Sequence, residues 1–469
     1  MKTWLVLFFV FGFPWMLWAD EAKASPKGSE EERFEDYRIL IDTIHEIRQN
    51  YVGKVTQQEL IDAAIEGVLK KLDPYSDYIP QRQMESFRKN MDSRFGGIGV
   101  QIAEENGRVV ILSPLWNTPA YRADLFAGDV ILEIDGKSLK GVSLDDASLW
   151  MKGEIGSQVR LRVQREGNPQ PFEVTMEREF ITMETVVGFD RNDDDSWNYW
   201  LDRANGVAYV QLLSFGQDTA TQLREVIENL QKPEKEGEPS LRGLILDLRF
   251  NPGGILPVAI DVCDMFLNEG VIVSTKGRNT EEQVWRAKAE GTLAADLPLA
   301  VLINHFSASA SEIVASCLQD NKRAFVVGER SWGKGSVQNV LELEGGSSAL
   351  KLTTAGYFRP NGKNIHREEG ATEEDEWGVI PEEGLLISMT PQQVAQLSQD
   401  QRRRQELRTH RKDVVSRGPS FDDPQLQKAL DLVEKALKTD ANTAVLLRQR
   451  LNLPVSRNTL EASRSSWQR

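Results

Sequence analysis

Four apolar runs in the second half of the chain, GVAYVQLLSF, LRGLILDLRFNPGG, LPLAVLINH and RAFVVGE, restrict the fold most. They are short, bounded by Gly, Pro and Asn, and at least the second and third are too continuously apolar for half-exposed strands. They read as strands buried on both faces. Helical spacing of apolar residues recurs between them, over Asp218–Leu230, Val258–Leu267 and Ser311–Leu318. Strand-helix alternation of this kind predicts a partly parallel sheet with helices packed on it, an α/β core.

The rest of the chain has other periods. Residues 34–51 and the segment after Thr56, a plausible N-cap, keep helical spacing and form an N-terminal helical region over 25–91. Residues 92–182 carry short strands around the turn pairs Asn106-Gly107, Asp135-Gly136 and Glu166-Gly167, with one helix at Ser143–Met151: a compact, mainly β module. The α/β core follows over 183–390, with a charged surface loop at 232–239. A helical region over 391–469 includes the run Gln401-Arg402-Arg403-Arg404, read as a solvated helix face. At 469 residues the chain fits about three domains.

The first 24 residues differ again. Lys2 precedes an uncharged stretch from Trp4 to Trp18, and Ala22-x-Ala24 offers small residues for cleavage, so 1–24 is expected to be an export signal. The protein is then expected outside the cytoplasm, periplasmic or on the outer face of a membrane. A net charge of −15 argues against a nucleic-acid partner, which needs a basic footprint. Cys263 and Cys317 both sit in apolar segments and read as buried thiols, with a single bridge between them left open. The four histidines have no metal-ligand spacing, and no cofactor is expected. Asp193-Asp194-Asp195 lacks calcium-loop spacing and reads as a solvated turn.

Chemistry concentrates at three turns. Ser307-Ala308-Ser309-Ala310-Ser311-Glu312 lies between a buried strand and a helix, where free N–H groups can stabilise an oxyanion. Ser309-x-x-Glu312 is also a capping box, and on the local pattern alone a capping serine is favoured. His305 has no acidic partner in sight and reads as a surface or packing residue. Lys334, between Gly333 and Gly335, is a candidate base if burial lowers its pKa, with Trp332 as a dry wall, while composition alone favours a surface lysine in a glycine turn. Gln338 is placed to orient the amine. The same loop approaches a phosphate-binding P-loop, but Gly335 stands where the magnesium-ligating hydroxyl belongs. Asn251-Pro252-Gly253-Gly254 is a third turn in which glycines admit a close backbone donor.

SASASE, GERSWGKGSVQ, DLRFNPGG, LTTAGYFRPNGKNI and GVIPEEG together resemble the carboxyl-terminal processing peptidases, or tail-specific proteases. The resemblance covers about 51–384, in the family's order. It implies an α/β peptidase core with an inserted PDZ-like β domain at 92–182 and N- and C-terminal helices. It implies a serine endopeptidase in which Ser309 is the nucleophile, Lys334 the base and Gln338 the residue orienting the lysine. Ala310 and either Gly253 or Gly254 would supply the oxyanion hole, and Ser307 and Ser311 would be structural, Ser311 as a helix cap. Gly96, Gly97, Ile98, Gly99 and Val100 would hold the carboxylate and first residues of an apolar C-terminal tail, added beside Val100–Ala103 as an edge strand. Asp124 stands where many members carry glycine, which leaves the turn at 121–128 open. The terminal helices are open to two readings, a homodimer contact or packing on their own core, and a regulatory partner is also left open. A non-catalytic PDZ adaptor on the same scaffold is the competing reading, and a nucleotide-binding α/β protein a third.

Overall fold

The computed structural model describes residues 30–91, 96–182, 184–232, 240–405, 407 and 421–438. The expected export signal and most of the 232–239 loop lie outside these residues. Two units are distinguished, 1–78 and 79–469.

The first unit holds helices α1 (Glu30–Asn50) and α2 (Gln57–Lys70). Thr56 caps α2 as expected, in a reciprocal box with Glu59. The helical spacing in α1 does not build a core: Tyr37, Ile39, Leu40 and Ile41 are all exposed.

In the second unit, α3 (Gln81–Met91) precedes the β module. Its strands are β1 (Gly96–Gly97), β2 (Val100–Glu105), β3 (Arg108–Pro114), β4 (Val130–Ile134), β5 (Gln158–Gln164), β6 (Phe172–Glu177) and β7 (Glu179–Phe180). The short helix α4 (Pro119–Arg122) and α5 (Leu144–Met151) complete the module. The antiparallel order β2-β3-β4-β5-β6 leaves β2 at an edge. β5 alternates, with Val159, Leu161 and Val163 buried and the arginines between them exposed. Asn106 and Gly107 take φ +53° and +74°, the left-handed pair a tight hairpin needs. Asp124 adopts φ +53°, so the turn keeps a glycine-like conformation without a glycine.

The core sheet contains β8 (Val186–Val187), β9 (Val207–Leu212), β10 (Gly243–Asp247), β13 (Leu299–Ile303) and β14 (Phe325–Gly328), in that order; β11 (Val271–Gly277) and β12 (Gln283–Arg286) intervene in sequence but lie in a second sheet. β9, β10, β13 and β14 are parallel, and α6 (Thr219–Gln231), α7 (Leu256–Asp264) and α8 (Ala310–Asp320) pack on one face. Ala208, Val210, Leu244, Leu246, Val301 and Val326 point to those helices. Val207, Tyr209, Ile245, Ala300, Leu302 and Val327 point the other way, to α10 (Pro424–Lys438). Burial on both faces explains the uninterrupted apolar runs. Cys263 and Cys317 are buried and unbridged.

The second sheet, with β15 (Ser336–Leu343) and β16 (Ser348–Phe358), is antiparallel where β15 pairs β16 and β16 pairs β11. The sequence shows no strand period there, because in β15 five successive residues, Asn339–Leu343, are exposed together. Of the two readings open for the C-terminal helices, α10 takes the one in which a helix packs on its own core. Leu426, Ala429, Leu432 and Val433 spend the apolar face of α10 on its own sheet. In α9 (Pro391–Gln405), Gln401 and Arg404 are buried rather than solvated. Arg404 Nε donates to Asp400 at 2.9 Å, and Nη1 to Phe189 O at 2.7 Å.

Candidate active site

In a parallel sheet, the carboxyl ends of the strands open into loops on one edge, where ligands gather. Here the end of β10 leads into 248–255, the end of β13 into 304–309 and the end of β14 into 329–335. These loops carry the three motifs singled out above.

Buried hydroxyls and amides fasten the first two loops together. Ser307 Oγ donates to Leu248 O at 2.8 Å, and Ser311 Oγ to Asn251 O at 2.9 Å. Ser311 is therefore structural, as expected, through the 248–255 loop rather than as a cap. The Asn251 side chain reaches Leu212 O at 2.7 Å and accepts from Gly253 N–H at 2.8 Å. A Cβ on Gly253 (φ +99°) would lie 2.6 Å from Ala308 O and 2.8 Å from Ser309 Cβ, so only glycine allows this approach. Gly253 N–H is thereby committed to Asn251 Oδ1.

Ser309 itself has φ +55° and ψ −114°, not the extended backbone of an ordinary N-cap. A non-glycine residue held there is strained, and such strain collects at functional turns. The Glu312 half of the capping box is present: its Oε2 accepts from Ser309 N–H at 2.8 Å. The same Oε2 accepts from Lys334 N–H at 2.8 Å. Oε1 accepts from Gly333 N–H and Ser331 Oγ, both at 2.6 Å. One fully buried carboxylate thus joins the backbone of the serine to that of the lysine. Burial pushes its pKa up to about 7, against the lowering effect of its hydrogen bonds from Ser331, Gly333, Ser309 and Lys334.

Glycines on both sides of Lys334 are required by close packing. A Cβ on Gly333 would meet Arg367 Cβ at 2.8 Å, and one on Gly335 would meet His366 N at 2.3 Å. This explains the glycines without a phosphate. Lys334 is half-buried, and its pKa is lowered by burial first and by the charge of Lys351 second, while Glu312 opposes the shift. Trp332 is no wall, being 43% exposed.

Residues 206–381 match Peptidase family S41, residues 96–176 a PDZ domain, and residues 15–83 an activating protease CtpB N-terminal domain. The chain is 38% identical over 345 residues to a carboxy-terminal-processing protease of Bartonella bacilliformis, covering 73% of this chain and 76% of that one. The chain belongs to the S41 carboxy-terminal processing peptidases. It is also 34% identical over 325 residues to the carboxy-terminal processing protease CtpA of Bacillus subtilis, covering 69% of this chain and 65% of that one. Among solved structures it is similar to a photosystem II D1 C-terminal processing protease, at 26% identity and a TM-score of 0.42, over 75% of this chain and 93% of that one.

The remaining site residues of this S41 peptidase are less simply placed. Lys334 lies in a loop and Gln338 in β15, with a bulge between Val337 and Gln338, so alternation along one strand does not relate them. The Gln338 amide donates to Ser336 Oγ at 3.0 Å and Thr353 Oγ1 at 3.2 Å. In the PDZ domain, β2 presents an open edge, and α5 packs beside it. Gly96 N–H is already donated to Gly153 O at 3.0 Å. Gly99 (φ +75°) packs against Thr118, whose Oγ1 donates to Gly99 O at 3.1 Å.

Two groups escaped the sequence reading. Glu312 was legible only as a cap, and its second task becomes visible once 331–334 folds over it. Asp195 is buried, not solvated, and Tyr121 Oη of the PDZ domain donates to its Oδ2 at 3.1 Å. Asp193 and Asp194 are exposed, as expected of that turn.

Proposed function

We propose that this S41 peptidase is an exported endopeptidase that selects proteins by an apolar C-terminal tail and cuts them with a Ser309/Lys334 dyad. The carrying observation is the single Glu312 oxygen that accepts from both Ser309 N–H and Lys334 N–H. In the reaction, neutral Lys334 Nζ takes the proton from Ser309 Oγ as that oxygen bonds to the scissile carbonyl carbon. Ala310 and Gly254 N–H groups hold the oxyanion. Collapse expels the amine, which takes the proton from the lysine. Water, deprotonated by Lys334, then attacks the acyl carbon, and the lysine returns that proton to Ser309 Oγ as the acid leaves. Gln338 positions the lysine-bearing segment through Ser336 and Thr353.

The edge of β2 offers unpaired backbone groups to a tail, and N–H groups after Gly97 take its carboxylate. Tyr121 and Asp195 give the PDZ domain a direct contact with the peptidase core. Cleavage of an unfolded protein ending in apolar residues is expected to slow about tenfold when its terminal carboxylate is amidated. Equal rates for the acid and the amide would remove tail selection. For export, the protein isolated from its cells is expected to begin at Ser25; a retained leader in a cytoplasmic fraction would contradict it. Among the described residues no helix is long and apolar enough to cross a membrane.

A further inference from the structure

Four rings stand on the loops that carry the site without joining either core cluster of the α/β domain: Phe250, His305, Phe306 and Trp332. Phe250 and Phe306 stack with centroids 5.6 Å apart and planes 21° from parallel. His305 meets Phe306 edge-on at 5.9 Å and tilts against Trp332 at 5.3 Å, so the four are continuous. Phe306 is 47% exposed. Water contact over rings this large is unfavourable unless something covers them in use, and an exposed apolar patch of this kind marks a contact site.

The rings are also held in place. The buried Asn304 Oδ1 accepts from Phe250 N–H at 3.0 Å and from Phe306 N–H at 3.1 Å, which fixes the stacked pair from beneath. Trp332 N–H donates to Ser307 O at 2.9 Å. Phe250 is held at φ +63°, a conformation costly for a bulky side chain. Phe306 lies three residues before Ser309, Trp332 two before Lys334, and Phe250 three before Gly253. The rings and the site residues thus share the three loops at the carboxyl ends of β10, β13 and β14.

We propose that Phe250, His305, Phe306 and Trp332 form an aromatic shelf that seats a bulky apolar side chain of the substrate next to the scissile bond. This rests on the Ser309/Lys334 reading. It makes bond choice depend on local sequence as well as on the tail. The test is a cleavage map, by mass spectrometry, of one unfolded substrate with an apolar tail, cut by the full-length protein and by Phe306→Ala, Trp332→Ala and Phe306→Leu. Both alanine variants are expected to lower the ratio of cuts beside large apolar residues to cuts beside small ones about tenfold, with Phe306→Leu in between. Unchanged unfolding midpoints will show that the variants fold. A wild type that cuts while the variants keep its map overturns the shelf alone. A wild type that cuts nothing overturns the dyad reading and the shelf with it.

Discussion

Replacing either Ser309 or Lys334 with alanine is expected to abolish cleavage of an unfolded, apolar-tailed protein, with kcat falling about ten-thousand-fold or more. Nucleophile and base act as a unit, so the double variant should be no worse than either single one. Lys334→Arg is expected to be as inactive as Lys334→Ala, because a guanidinium keeps its proton at any working pH. Tail binding measured by fluorescence anisotropy should survive all of these changes, since the PDZ groove is built from other residues. Activity that persists in both alanine variants would dismiss the dyad. A wild type that binds tails and cuts nothing would make the chain an adaptor.

The second large effect falls on Glu312. In Glu312→Gln one carboxylate oxygen becomes an NH2 group facing N–H donors, leaving at least one buried donor without an acceptor, at a cost of about 1–3 kcal/mol. Because that carboxylate spaces serine from lysine, kcat is expected to fall by a hundredfold or so. The pH behaviour separates this from simple misfolding. Activity should rise with pH, because Lys334 must lose its proton and Glu312 must lose its own to accept from all four donors. The Glu312 charge raises the lysine pKa, so the residual activity of Glu312→Gln should have its acid limb at lower pH. Stability moves oppositely. Below about pH 4.5 folded and unfolded states both hold the Glu312 proton. Between there and pH 7 only the folded state does, so stability declines as pH rises, by a total on the order of 3 kcal/mol. Urea unfolding at pH 5 and pH 8 should show that decline in the wild type and a smaller one in Glu312→Gln. Identical slopes and an unshifted acid limb would refute this account.

Elements whose burial is uniform were readable from sequence. β10 and β13 are covered on both faces, and β5 on alternate residues, so each leaves a period of apolar residues in the sequence. β15 and β16 do not, since Asn339, Val340 and Leu341 are exposed together and the period dissolves. At the site, the resemblance picked out Ser309 and Lys334, whereas their surroundings depend on residues distant in sequence. Nothing near Glu312 signals Ser331 or Gly333, and nothing near Asp195 signals Tyr121. The strained backbones of Ser309 and Phe250 are likewise set by neighbours rather than by local preference.

Arg249, immediately before the Phe250-to-Gly254 turn, is fully buried. It donates to Asp247 beside it and to Asp423 Oδ1 at 3.0 Å, across 174 positions of chain. Gln425 accepts from the same guanidinium at 3.1 Å. A ribosome building this chain makes the serine, the lysine and both glycines long before it makes Asp423. Until then the partly made sheet lacks the helix that covers one of its faces, and Arg249 has Asp247 without its second acidic partner. The order of synthesis therefore places α10, which covers that face and brings Asp423 and Gln425 to Arg249, after all three of the loops that carry the candidate site.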